Sequence, residues 1–286
     1  MIEILIPTYN RRKFLQQCID SITKQNSHNH IFKILVVDNA SPDDTEDYMK
    51  GIISEKIRYV RNSSNIGIEK NIIKCFEYSK EKYVMLMGDD DILYNTASDV
   101  LNSSLQKYKD LSVIVSSANV FVDRVDKISR KFYFSENRSN QMLISNKEES
   151  CKKFLLRGTL GSGIIYNRNS LDINALSKHF GSLYPQMYLM GKSMLSGNTL
   201  FLNTPFLAVR DENKKNWDYR GDYMNGSVIE IIKDICQQGE FKNETLNYII
   251  KTRISVCHNF LLSSKRKSIR NFLKVFYSHF LIKEYR

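Results

Sequence analysis

Three consecutive carboxylates, Asp89, Asp90 and Asp91, follow Gly88 at the end of the apolar run Tyr83 to Met87. Neighbouring carboxylates repel one another, raise one another's proton affinity, and are relieved only by water or a cation. An acidic turn in water is the commonest meaning of such a triplet. At the carboxyl end of a sheet strand, the same oxygens could hold Mg²⁺ or Mn²⁺, and through it a diphosphate. Two earlier stretches share this polar ending. Ile2 to Ile6 stops at Pro7-Thr8-Tyr9-Asn10, and Phe32 to Val37 stops at Asp38-Asn39-Ala40-Ser41.

The elements that must carry these residues alternate. The pattern predicts strands over residues 2–6, 32–37, 56–60 and 83–87, with helices over about 12–25, from Pro42 onward and over about 65–79. Asn65 is placed to cap the third helix, and Asp43 and Asp44 fall in the first turn of the second. Strand–helix alternation implies an α/β, Rossmann-like, mostly parallel sheet with flanking helices, which binds ligands beyond the carboxyl ends of its strands. A fifth strand is expected near 112–121, then a hairpin-like passage from Asp123 to Arg138 and a helix near 147–156. The run Arg157-Gly158-Thr-Leu-Gly161-Ser-Gly163 signals either backbone close to a ligand or a tight turn. Residues 164–166 continue as a strand. Helices then dominate, over about 171–179, 185–196, 226–238, 244–264 and 269–282, interrupted by a strand near 200–209. We divide the chain into an α/β domain over 1–220 and a basic C-terminal helical extension over 221–286.

The formal net charge is +11. Such an excess points to an anionic partner. It is concentrated late, with nine Lys or Arg against one Glu between Lys251 and Arg286. No nucleic-acid-binding motif accompanies the charge, so nucleic acid is not the expected partner. Leu261, Leu262, Phe272, Leu273, Phe276, Phe280 and Leu281 recur at helical spacing among these basic residues. That segment could lie on an anionic membrane surface or dock on the catalytic domain. Five cysteines show no CxxC or Cys/His spacing, which disfavours zinc and suggests reduced thiols. With no signal-peptide pattern and no spanning segment, a cytoplasmic protein is expected, peripheral on the inner face of the cell membrane if the tail binds lipid.

Four segments, in this order and spacing, resemble the inverting family-2 glycosyltransferases with the GT-A fold. They are Pro7-Thr8-Tyr9-Asn10-Arg11, Val36-Val37-Asp38-Asn39-Ala40-Ser41, Asn65-x-Gly67-x-x-x-Asn71 and Gly88-Asp89-Asp90-Asp91. The likeness covers roughly residues 2 to 125 and weakens toward residue 220. No GxGxxG follows the first strand and no Walker-type loop is present, which argues against dinucleotide-binding and P-loop readings.

The resemblance implies a nucleoside diphosphate sugar donor, usually UDP-linked, and a Mn²⁺ or Mg²⁺ cofactor. Pro7, Thr8, Tyr9 and Asn10 would line the base and ribose, and Asp38 would accept from the base imide N–H. Asn65, Gly67 and Asn71 stand either at the nucleotide or in helix-start chemistry alone. Asp89 would face the ribose side, Asp90 the donor, and Asp91 would be the direct metal ligand. Family members often carry a Glu-Asp pair, whose Asp is the base, in the region matching residues 180 to 192. This chain has no carboxylate there. His179 and Asp211 remain as candidate bases, with Glu212 beside the latter, and Tyr184 or Gln186 could position the acceptor instead. Arg210, Lys214 and Lys215 are of the type that clamps a diphosphate. Trp217 is suited equally to stacking on a sugar and to core packing. The expected activity is hexosyl or N-acetylhexosaminyl transfer to a glycan or lipid-linked glycan in bacterial surface-polysaccharide synthesis. The competing expectation is a non-catalytic nucleotide-sugar or glycan-binding subunit that has lost its base.

Overall fold

The structure, a computed structural model, describes residues 1–25, 31–132, 140–174, 179, 184–211 and 227–263. The first half follows the alternating pattern: β1 (Ile2–Thr8), α1 (Arg12–Thr23), β2 (Phe32–Asp38), α2 (Thr45–Lys50), β3 (Ile57–Arg61), α3 (Ile68–Tyr78) and β4 (Tyr83–Leu86). Then come β5 (Ile92–Leu93), α4 (Ala97–Lys107), β6 (Leu111–Ser116), β7 (Ala118–Phe121), β8 (Ile128–Phe132), β9 (Gln141–Ile144) and α5 (Lys147–Phe154). A 3₁₀ turn over Leu155–Thr159 leads to β10 (Ile164–Asn167), and the chain continues through α6 (Pro185–Ser196), β11 (Asn198–Leu202), β12 (Leu207–Arg210), α7 (Ser227–Gln238) and α8 (Asn243–Ser263).

Eight strands form one sheet in the order β3-β2-β1-β4-β10-β6-β11-β9. The run β3-β2-β1-β4 is parallel throughout, and β10 enters antiparallel between β4 and β6. Side chains alternate across this sheet with period two. Ile2, Ile4, Ile6, Ile34, Val36 and Met85 pack on one face with Leu15, Cys18, Ile19 and Ile22 of α1. Leu5, Leu35, Val37, Val84 and Leu86 pack on the other with Ile72, Cys75 and Phe76 of α3 and with α6. Burial of both faces explains why these strands are almost wholly apolar.

A second sheet, β5-β12-β7-β8, is built from strands that leave the first. The single strand expected near 112–121 breaks at Ser117, whose N–H bonds Leu202 O, so β6 stays in the large sheet and β7 enters the small one. The strand expected near 200–209 breaks in the same way, into β11 and β12, across a segment containing Pro205, which has no N–H to offer a ladder. The two breaks are in step, because β6 pairs with β11 and β7 with β12.

α4 has no counterpart among the expected elements. Its apolar residues are only Ala97, Val100, Leu101 and Leu105, among serines and polar residues that propensity disfavours. The helix expected over 171–179 falls largely outside the described residues, and that over 269–282 wholly so. Val228, Ile231, Ile232, Ile235 and Ile249, from α7 and α8, share one apolar cluster with the large sheet, so residues 227–253 form no separate core. Among the described residues no helix is long and apolar enough to cross a membrane.

Candidate active site

Because β1, β2, β3 and β4 are parallel, their carboxyl ends lie along one edge. Thr8 ends β1 in register with Asp38 of β2, which is in register with Arg61 of β3. β4 ends beside them and turns through Gly88 into the three acids. A Cβ on Gly88 would stand 2.9 Å from Asp91 Oδ2 and 3.1 Å from Asp90 Oδ1, so a larger residue there would push those carboxylates aside.

The three acids face different ways. Thr8 Oγ1 donates to Asp89 Oδ2 at 2.7 Å. Arg11 Nη2 donates to Asp90 Oδ2 at 2.7 Å, and Arg11 Nη1 lies 3.4 Å from Asp89 Oδ1. Asp91 turns inward. Its Oδ2 accepts from the Ser162 hydroxyl and its Oδ1 from the Arg210 N–H at 3.0 Å. Burial, with the neighbouring Asp90 charge, pushes the Asp91 carboxyl up to about 7. Behind the turn, the buried Cys18 thiol donates to Gly88 O and is itself raised, by burial and by the Asp91 charge. Asp91, expected to grip a metal directly, is thus buried with both oxygens engaged, whereas the Asp90 side chain keeps 17 % exposure. The turn carries the last carboxylate inward to Ser162 and the Arg210 N–H, while Asp89 and Asp90 stay with Arg11.

Arg210, at the end of β12, wraps the same turn. Its Nε donates to Asp90 O at 3.3 Å and its Nη2 to Gln17 Oε1 at 3.1 Å. The guanidiniums of Arg11 and Arg210 both lie about 5 Å from the Phe14 ring, at 4.9 and 5.0 Å.

Ser162 is held in turn from beneath. Its Oγ accepts from the Gly88 N–H at 2.9 Å while donating to Asp91. Its carbonyl accepts from Arg157 Nη2 at 2.8 Å, and the same guanidinium reaches Ser116 O at 2.7 Å and Leu160 O at 2.8 Å. Arg157 is wholly buried. The glycines around it answer to packing: a Cβ on Gly158 would stand 2.7 Å from Met187 Cα, and Gly163 has φ +82°. The glycine-rich run is therefore a tight turn around a buried cation. Neither Arg157 nor Ser162 was singled out by residue type; the density of glycine was the only signal.

Asp38 is fully buried. Oδ1 accepts from the Ser41 N–H and hydroxyl, and Oδ2 from the Tyr59 hydroxyl at 2.7 Å and from Arg61 Nη1. Its lone pairs are all in use, so a base imide could reach it only by displacing a donor. Asn71, expected at either a nucleotide or a helix start, bonds to neighbouring strands of the protein. Its Nδ2 donates to Val37 O and its Oδ1 accepts from Asn62, tying α3 to β2 and β3. Asn65 does not cap α3, whose N-cap is Gly67 at φ +83°. It accepts from the Gly67 N–H and from Asn39 Nδ2. Tyr9 is 42 % exposed at the edge, and Asn10 beside it has φ 55°, its N–H held by Ser41 Oγ. Pro7 is in register with Val37.

The two candidate bases separate. Asp211 directly follows Arg210 and its N–H bonds Phe121 O at 2.7 Å, which sets it beside the acid turn. His179 contacts helices instead: its Nε2 lies 2.9 Å from Asp234 Oδ2 of α7 and its ring 4.4 Å from Tyr188 of α6. That geometry does not bring it to the strand ends. Glu212, Lys214, Lys215 and Trp217 lie outside the described residues. Gln186, at the head of α6, is buried beside Gly161, and its Oε1 has no hydrogen-bond partner.

The edge offers a divalent ion one outward carboxylate, Asp90, backed by Asp89. Among the described residues no group of three His, Cys, Asp or Glu side chains converges on a metal position. This fits Mg²⁺ or Mn²⁺, which commonly take one or two carboxylates and complete their shell with phosphate oxygens and water.

Comparison with known proteins agrees with this architecture. Residues 3–173 match the family described as glycosyl transferase family 2. The chain is 24 % identical over 228 residues to abequosyltransferase RfbV of Salmonella typhimurium, covering 74 % of this chain and 67 % of that protein. It is 20 % identical over 245 residues to Escherichia coli WfgD, a UDP-Glc:alpha-D-GlcNAc-diphosphoundecaprenol beta-1,3-glucosyltransferase, covering 81 % and 89 %. Other curated relatives are matched over 34 % to 55 % of their length. The structure of Staphylococcus aureus TarS 1-349 in complex with UDP superimposes with a TM-score of 0.61 at 16 % identity, over 82 % of this chain and 64 % of that one. The fold is accordingly GT-A, and the chain belongs to glycosyl transferase family 2.

Proposed function

We propose that this chain transfers a sugar from a UDP-linked donor to a glycan or lipid-linked glycan acceptor during bacterial surface-polysaccharide synthesis. The observation that carries the reading is one sheet edge where Thr8, Asp89 and Asp90 meet two guanidiniums, Arg11 and Arg210. The donor and acceptor named for WfgD, and the UDP bound by TarS, support the substrate class.

On this reading the exposed Tyr9 ring stacks on the base, Thr8 and Asp89 face the ribose, and Arg11 and Arg210 face the diphosphate, for which guanidinium geometry is suited. Asp38 orders Arg61 and Ser41 at the base end of the crevice, and meets a base edge only where Arg61 yields. Asp90, rather than Asp91, would hold Mn²⁺ or Mg²⁺. Such an ion supplies neutralisation of the charge that develops on the departing diphosphate. Asp211 takes the acceptor hydroxyl proton on its carboxylate, on the face opposite the leaving group. The basic C-terminal segment would meet an anionic membrane surface, where a lipid-linked acceptor resides.

One observation favours a non-catalytic reading: the head of α6 carries Pro185 and Gln186, neither of which takes up a proton. UDP release from UDP-sugars with Mn²⁺ and an acceptor extract separates the two. An enzyme releases UDP well above an Asp90→Ala control, and Asp211→Asn lowers the rate by about a hundredfold or more. Release equal to that control would leave a binding subunit.

A further inference from the structure

The outward carboxylate of the acid turn is already neutralised by the chain itself. Arg11 places one nitrogen 2.7 Å from Asp90 Oδ2 and another 3.4 Å from Asp89 Oδ1, so the guanidinium straddles the two acids that face the crevice. The pair is half-sheltered: side-chain exposure is 25 % for Arg11, 17 % for Asp90 and 7 % for Asp89. A divalent ion arriving alone would meet a cation at its own ligand, and two positive charges on one carboxylate repel strongly where water is scarce. An ion arriving with a diphosphate meets a different situation. The phosphate oxygens offer the guanidinium a bidentate partner at least as good as Asp90, and Arg11 can turn to them. Phe14, whose ring Arg11 shares with Arg210, provides a flat surface along which that short movement keeps its cation–π contact.

We infer that Arg11 is a transferable countercharge: it neutralises Asp90 and Asp89 in the free protein and passes to the donor diphosphate when metal and nucleotide bind together. This rests on the donor reading given above and adds a coupling to it. Metal and nucleotide affinity are linked through one side chain, and by reciprocity each raises the other. The free protein then stays out of unproductive complexes with metal alone.

The test measures Mn²⁺ binding by the electron paramagnetic resonance signal of the free ion, with and without UDP. Arg11→Gln, Arg11→Lys and Lys24→Gln are compared with the wild type. Lys24 pairs with Asp20 on the same helix, so its variant controls for net charge. In the wild type Mn²⁺ alone binds weakly and UDP tightens it. In Arg11→Gln, Mn²⁺ alone binds roughly tenfold tighter or more, and UDP tightens it far less. Arg11→Lys, which keeps the charge, stays close to wild type for Mn²⁺ alone, as does Lys24→Gln. Unchanged or weaker binding of Mn²⁺ alone by Arg11→Gln, with UDP-dependent binding intact, overturns this inference and leaves the donor reading standing. Absence of Mn²⁺ binding by the wild type even with UDP removes the metal reading and this inference with it.

Discussion

Replacing Arg157 with Met tests whether a buried cation organises the acid turn from below. The guanidinium donates to the carbonyls of Ser116, Leu160 and Ser162, all within 2.8 Å, at a position sealed from water. Met is apolar and follows the aliphatic stem of Arg but lacks its guanidinium end, so a small void adds to the lost hydrogen bonds. Three carbonyls, those of Ser116 and Ser162 buried and that of Leu160 partly so, lose a charged donor, each such bond contributing about 1.5–3 kcal/mol. Sparing the desolvation of a buried cation offsets part of that sum. A net cost of about 3 kcal/mol corresponds to a fall in Tm of about 6–12 °C for a chain of this class. Arg157→Lys keeps the charge, but a single ammonium cannot reach three carbonyls set in a fork, so it recovers less than half of the loss. Scanning calorimetry of both variants reads the shift, and UDP binding below the transition reads the consequence for Ser162 and Asp91. A Tm within about 2 °C of wild type for Arg157→Met would refute the reasoning.

Two further outcomes follow from the same geometry. The Asp91 carboxyl is raised to about 7 in the folded protein, mainly by burial, against an ordinary 3.8. The unfolded chain therefore ionises first, and stability falls as pH rises from about 4 to about 7, then levels. Asp91→Asn should accordingly raise Tm relative to wild type at pH 8 and lose that advantage at pH 4; an advantage that grows toward acid would contradict the inward placement. Asp38→Ala strands the Tyr59 hydroxyl, the Ser41 donors and Arg61, and should cost about 3 kcal/mol, the low end for breaking a buried pair, since Arg61 is partly exposed. Denaturation midpoints would show it. An unshifted midpoint would contradict that structural role.

The parallel half of the fold was legible because its strands are short apolar runs ended by polar residues, a pattern that buried parallel strands impose. The positions of Thr8, Asp38 and Asp89 at one edge followed from that topology alone. The inward turn of Asp91 was not legible, because nothing in three identical residues says which one the backbone points at Ser162. Asn65 and Asn71 look alike as ligands and as tethers; only coordinates show Asn71 spending both ends of its amide on the chain. The split strands escaped for a related reason, since Leu111–Phe121 is apolar enough to belong to either sheet along its whole length.

The acid turn and its late partner differ greatly in their time of arrival. The Arg210 N–H that holds Asp91 comes 119 residues after it, and the second sheet cannot close until β12 is made. At synthesis rates of about 5–20 residues per second, that interval lasts roughly 6–24 seconds. Ser162 arrives part-way through it, and until Arg210 follows, Asp91 lacks its second anchor from the later half. A ribosome-bound fragment ending before residue 207 would therefore own every motif of the first half and still lack a finished crevice.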